Sequence, residues 1–203
     1  VSACGSLLEP LAKYVDKFLK PFVPLTKSYI RDSMDMINKV EQLSFDSEHQ
    51  ILCTMDIESL YTNIPQDVAL EVIQVTLDGR TQPHKVPTEF LRKLAEICLK
   101  NNFFLFKNCR YLQIKGVAMG CCFAPEIANL VVDCFESKWI YSDLNPFKAQ
   151  ICKWYRYIDD IFFIWDEKDG PVTTFHDWLN SRSEDFKFSL VSDKRGLNFL
   201  DLW

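Results

Sequence analysis

The chain has 203 residues, 48% hydrophobic and 25% charged, a balance that excludes a disordered or fibrous protein and suits a soluble globular one with a sizeable core. No apolar run nears the roughly 18 to 20 residues needed to span a bilayer, so no membrane segment is expected. A net charge of −5 argues against a uniformly basic nucleic-acid binder and leaves only a local cationic surface open.

Val1-Ser2-Ala3-Cys4-Gly5 carries neither an initiator Met nor a signal-peptide pattern, and the chain is expected to be an excerpt. Leu7 to Phe22 reads as a helix, with Leu7, Leu8, Leu11, Val15, Phe18 and Leu19 at helical spacing. A second helix is expected from an N-cap at Thr26, setting Ile30, Met34, Ile37 and Glu41 along one side. Gln50 to Ile57 is short, apolar and β-branched, which predicts a buried strand ending at Asp56. Pro65 and Pro87 each open a helix, the first with Val68, Val72 and Val75 facing inward, the second running through Phe90, Leu94 and Ile97.

Phe103 to Ile114 reads as a hairpin turning at Lys107-Asn108. A loop, Gly116-Val117-Ala118-Met119-Gly120, then enters a long helix from Pro125 to Trp139, whose apolar stripe is Ile127, Leu130, Val131, Cys134 and Phe135. Two hydrophobic runs follow, Trp154 to Ile158 and Ile161 to Trp165, with Asp159-Asp160 between them. Pro171 to Leu179 is expected to be helical, Phe186 to Leu190 a half-buried strand by its alternation, and Leu197 to Trp203 a further strand. No repeat interrupts this order, so one continuous domain over 1–203 is expected, an α+β fold with a mostly antiparallel sheet packed on helices.

The eight cysteines contain no C-x-x-C pair, which disfavours zinc and disulfide frameworks and favours a reduced, intracellular setting. Cys53, Cys98 and Cys134 read as small buried hydrophobes. Residues 80–115 carry Arg80, Lys85, Arg92, Lys93, Lys100, Lys107, Arg110 and Lys115 against only Glu89 and Glu96. Either a phosphate-facing surface or a solvated helix face would explain that stretch.

Asp159-Asp160 is the most informative feature. Adjacent carboxylates repel each other and are costly to desolvate unless something compensates. Two explanations stand: an ordinary acidic turn, since Asp favours turns, or a site for a hard cation such as Mg²⁺. Asp56 shifts the balance, because it too ends an apolar strand and could lie beside them in one sheet. Three carboxylates could hold two ions about 3.5–4 Å apart for phosphoryl transfer. No phosphate-binding P-loop, nucleophile elbow or H-E-x-x-H competes. His49, His84 and His176 are scattered and expected at the surface.

Tyr157-Ile158-Asp159-Asp160 resembles the Y-x-D-D box of reverse transcriptases, and Asp56 to Tyr61 resembles their first carboxylate motif, with an aromatic five residues after the Asp. The string from Asp56 through Ile64-Pro65 is similar to the Penelope-like retroelement branch, a relative of telomerase. So are Gly116 to Gly120 with Ala124-Pro125 and Asn129, and the segment Asn198-Phe199-Leu200-Asp201.

The resemblance implies a polymerase palm with a helical fingers segment and an RNA-directed DNA polymerase taking dNTPs, an RNA template and a DNA primer, in a nuclear setting. Asp56, Asp159 and Asp160 would be catalytic, binding two Mg²⁺ ions (or Mn²⁺) with the carbonyl of Ile57. Tyr61 would crowd a ribose 2′-hydroxyl, while Gly120, Ala124 and Pro125 would floor the nucleotide site. Cys121-Cys122 and Ala124 stand where the family often has serines. Arg31 is a weak candidate for a triphosphate contact, and Lys187 or Lys194 for a general acid. A thumb and an endonuclease module are expected beyond this segment. The rival readings are a decayed or domesticated palm that only binds nucleic acid or a partner, and another palm enzyme such as a cyclase or an RNA polymerase.

Overall fold

The computed structural model describes residues 5–46, 48–80 and 86–203. Cys4, His84 and Lys85 lie outside them. In chain order the elements are α1 (Glu9–Leu19), α2 (Ser33–Val40), β1 (Gln50–Asp56), α3 (Leu60–Asn63), α4 (Gln66–Asp78), α5 (Thr88–Lys100), β2 (Phe103–Phe106), β3 (Cys109–Leu112), α6 (Ala124–Trp139), β4 (Ile151–Tyr157), β5 (Asp160–Asp166), α7 (Val172–Asn180) and β6 (Val191–Asp193). No helix of the described residues is long and apolar enough to cross a membrane. The chain divides into two compact units, Val1–Leu25 with Ser59–Val132, and Thr26–Glu58 with Asp133–Trp203.

The first unit is mostly helical. Helices α1, α4 and α5 pack on one another, burying Val15 and Leu19, Leu70 and Ile73, and Leu91 and Ala95. Pro65 and Pro87 do stand at the N-caps of α4 and α5, where a missing N–H costs nothing. The inward face of α4 differs from expectation: Ala69, Leu70, Ile73 and Leu77 are buried with Val72, while Val68 and Val75 are exposed. Likewise Leu7 lies outside α1, fully exposed, and Phe90 of α5 faces solvent. The β2–β3 ribbon forms in the expected register, with both turn residues in the left-handed region, Lys107 at φ 47° and Asn108 at φ 62°.

The second unit is built on a four-stranded sheet in the order β4-β5-β1-β6, whose ladders are antiparallel. Central strand β5 is buried on both faces, as its unbroken apolar sequence requires. Phe163 and Trp165 project to one side against Phe175 of α7, with ring centroids 5.9 and 5.2 Å away. Phe162 and Ile164, offset by one residue, project to the other side and cluster with Ile30, Met36 and Phe199.

Helix α2 starts later than expected. Asp32, not Thr26, is its cap, accepting from the Asp35 N–H at 2.8 Å. Its buried face is accordingly Met36, while Met34 is exposed. Phe186 to Leu190 keeps its alternating burial but makes only one isolated bridge, Phe188 to Ile57, and the strand proper is β6. The tail 197–203 is a tight turn closed by Phe199 and Leu202, with Leu200 at φ 52°, rather than a strand.

Candidate active site

In the second unit, the register of β1 against β5 places Asp56 opposite Asp160 at the ends of their strands. Asp159 occupies the connection between β4 and β5, and its carbonyl accepts from the Ile57 N–H at 3.1 Å. The three sequence-predicted carboxylates are thus neighbours at one edge of one sheet. The end of β1 is fixed from the other side as well. Ser189 N–H donates to the Asp56 carbonyl at 3.0 Å and the Asp56 N–H donates to Ser189 Oγ at 3.2 Å. His176 is half-buried rather than a surface residue, and its Nε2 lies 2.7 Å from the Phe188 carbonyl, bracing the same segment.

The carboxyls of Asp56 and Asp160 are both held above the usual carboxylate range. Desolvation is the larger cause in each case, and the neighbouring acids add to it, Asp159 first for both. A cleft of about 180 Å³ opens beside Asp56 and Asp160, lined also by Ser189, Asn198, Phe199 and Leu200. It brings the Asn198-Phe199-Leu200 segment against the acids.

Hard oxygen donors crowded until their charges oppose one another fit a divalent cation, which would relieve the repulsion. They are not a closed cage. Among the described residues, no three His, Cys, Asp or Glu side chains stand as a ready ion site, so ligation would need side-chain rotation. Ile57 is buried, and its N–H is engaged with Asp159.

Tyr61, Gly120, Ala124 and Pro125 belong to the first unit. There the chain ties two of the sequence motifs together: Val117 N–H donates to the Tyr61 carbonyl at 2.7 Å. Gly116, at φ +81°, lies so close to Thr62 that an added Cβ would stand 2.6 Å from its carbonyl oxygen. Gln66 donates to the Gly116 carbonyl at 3.2 Å and to Leu99 at 3.2 Å, bracing the loop on α4 and α5. Gly120 has φ +86° and is exposed at the entrance to α6. Ala124 is buried at the first position of that helix.

The remaining candidates are engaged elsewhere. Arg31 pairs with Asp32 at 2.8 Å. Lys187 donates to the carbonyls of Asn180 and Ser183 at 2.9 and 3.0 Å, and Lys194 pairs with Glu167 at 2.8 Å. Two residues that sequence reasoning did not single out, Glu136 and Arg156, are fully buried around the acidic turn. Glu136 took the inward position expected of Cys134, which is exposed. The signal in the sequence was an Arg inside the aromatic run that precedes Tyr157.

A helix-backed antiparallel sheet with acids gathered at one end is a polymerase palm, and solved structures carry the same fold. Apo telomerase from Candida tropicalis, truncated of its C-terminal domain, superposes with a TM-score of 0.65 at 13% identity, over 97% of this chain and 42% of that one. Candida albicans telomerase, in complex with a fragment of telomeric RNA, superposes with 0.60 at 10% identity, over 93% and 36%. The sicinivirus RNA-dependent RNA polymerase superposes with 0.50 at 13% identity, over 76% and 31%. The chain therefore spans less than half the length of these polymerases. No curated protein matches it in sequence. The family model for reverse transcriptase (RNA-dependent DNA polymerase) matches residues 1–197, and the chain belongs to that family.

Proposed function

We propose that this chain is the fingers and palm of an RNA-directed DNA polymerase of the Penelope-like branch, adding dNMP units to a primer 3′-hydroxyl on an RNA template. The observation that carries the reading is the pairing of Asp56 with Asp160 across β1 and β5, with Asp159 in the adjoining turn. Asp56 and Asp159, with Asp160 beside them and the Ile57 carbonyl as a further oxygen donor, would hold Mg²⁺ or Mn²⁺. In two-metal sites such ions activate the attacking hydroxyl and neutralise the leaving group. Tyr61 would exclude a ribose 2′-hydroxyl. The loop from Gly116 to Gly120, with Ala124 and Pro125, would let template and incoming base approach the backbone closely. The branch assignment is supported by the run Asp56 to Pro65 and by the segment Asn198 to Asp201, whose first three residues line the acidic cleft.

The test is Asp159→Asn in the full-length protein. Primer extension on an RNA template with dNTPs should fall by about three orders of magnitude or more, as expected when electrostatic stabilisation of a phosphoryl transition state is removed. Extension at near wild-type rate would overturn the metal assignment. The second reading is a decayed or domesticated palm that binds nucleic acid or a partner without catalysis. It predicts no extension by the wild type and no specific Mg²⁺ binding by calorimetry.

A further inference from the structure

Arg156 lies in β4, directly before the acidic turn, with no solvent exposure, and its partner Glu136 in α6 is 1% exposed. Taking both charges out of water costs several kcal/mol for each unless their bonding is complete. It is well supplied here. Glu136 Oε1 accepts from Arg156 Nε at 2.9 Å and from Trp154 Nε1 at 2.8 Å. Its Oε2 accepts from Arg156 Nη2 at 3.3 Å and from Ser28 Oγ at 2.6 Å. The Arg156 main chain is held too, its N–H donating to Ser28 at 2.6 Å and its carbonyl accepting from Ile30 at 2.9 Å.

One guanidinium nitrogen points elsewhere. Arg156 Nη1 donates at 3.0 Å to the carbonyl of Ile158. Ile158 has φ 56°, a left-handed conformation that a β-branched residue adopts only under strain. The next carbonyl, that of Asp159, accepts from the Ile57 N–H at 3.1 Å. Both carbonyls between Tyr157 and Asp160 are therefore pinned, one by a buried guanidinium and the other by the strand that carries Asp56.

We propose that Arg156, anchored by Glu136, is a positioning residue that locks the left-handed turn at Ile158 and so aims Asp159 and Asp160 beside Asp56. Stability alone does not account for the pair, because an apolar pair of similar volume is often as stable as a buried ion pair. A planar guanidinium differs from an apolar side chain in supplying directed donors at fixed points, enough to satisfy a carboxylate and a strained carbonyl together. The catalytic consequence rests on the polymerase reading above; the effect on the turn does not.

The experiment compares wild-type full-length protein with Arg156→Met/Glu136→Leu, which removes both charges together, and with Arg156→Lys, which keeps charge but loses the fork. The first readout is hydrogen exchange at the Ile57 amide, whose acceptor is in the turn. It should quicken about 10- to 100-fold in the double variant, the worth of a charge-assisted hydrogen bond, while the Cys53 and Phe163 amides stay protected. The second is Mn²⁺ affinity by electron paramagnetic resonance, expected to weaken about tenfold or more through loss of carboxylate preorganisation.

Unchanged Ile57 exchange in a folded double variant overturns the proposal. If the central-strand amides also lose protection, the lysine variant decides. Faster exchange confined to Ile57 supports the lock, and exchange like wild type overturns it. A wild type that neither extends primers nor binds Mn²⁺ refutes the polymerase reading alone, and the Ile57 exchange still decides the lock.

Discussion

Asp56 and Asp160 stand in a position that stability does not favour. Their folded-state carboxyls are raised by burial first and by neighbouring acids second. A carboxyl whose folded pKa lies above its unfolded value binds more protons when folded, so its contribution to stability falls as pH rises between the two values. Above the raised folded value the cost is fully present, and at or below the ordinary carboxylate value it vanishes. Asp160→Asn should therefore stabilise the protein at neutral pH by up to about 1 kcal/mol, the modest size reflecting partial solvation of the carboxyl. The gain should disappear in denaturant titrations run at pH 3 to 4 (roughly the unfolded carboxylate pKa). A destabilised Asp160→Asn at pH 7 would contradict the electrostatic account of this edge. Mg²⁺ at millimolar levels should raise the melting temperature of the wild type and not that of Asp159→Asn, since only binding to the folded state shifts that midpoint.

At the scale of elements, residue type and spacing were informative wherever a hairpin or a proline dictated the backbone. The β2–β3 and β4–β5 hairpins and the starts of α4 and α5 all fall where apolar runs, turn residues and Pro65 or Pro87 place them. Helix faces were less legible. Along α4 the valines suggested one side, and the structure buries the side bearing Ala69 and Ile73, because the helix rotates to whichever stripe its neighbours can pack. The basic stretch 80–115 also resolves by element. Lys93 and Lys100 are neutralised by Glu96 at 2.9 and 3.3 Å, and Arg80 bonds the Thr88 hydroxyl at 2.8 Å. Lys107 and Arg110 sit on the exposed β2–β3 ribbon. The loop after that ribbon depends on one residue above others. Gly116→Ala would set a methyl against the Thr62 backbone at a positive φ, and urea denaturation should register a loss of about 2 to 4 kcal/mol. A loss below 1 kcal/mol (roughly that of an ordinary surface change) would mean the contact yields easily.

At the scale of the whole molecule, the cysteines report the fold without reference to activity. None of the seven described cysteines is in a disulfide. Burial pushes the Cys53 and Cys121 thiols up to about 12 and Cys98 to about 11. Cys109 and Cys134 are exposed. Alkylation at pH 8 with mass-spectrometric mapping should label Cys109 and Cys134 first, with Cys53, Cys98 and Cys121 reacting only on unfolding. Early modification of Cys53 would contradict the sheet register around it.

From the amino-acid order alone came the chemistry available to this protein: acids ending two apolar strands, a tyrosine five residues after the first, and a glycine loop between them. That much is local, since a two-residue turn between strands and a proline at a helix start act within a few residues of chain. Only the tertiary structure decided that Asp56 faces Asp160 in register, that Val117 bonds to Tyr61, and that Glu136 rather than Cys134 turns inward to meet Arg156. Those outcomes depend on which distant segments share a sheet or a helix face. A buried charge is intelligible only once its partner, far away in sequence, has been brought beside it.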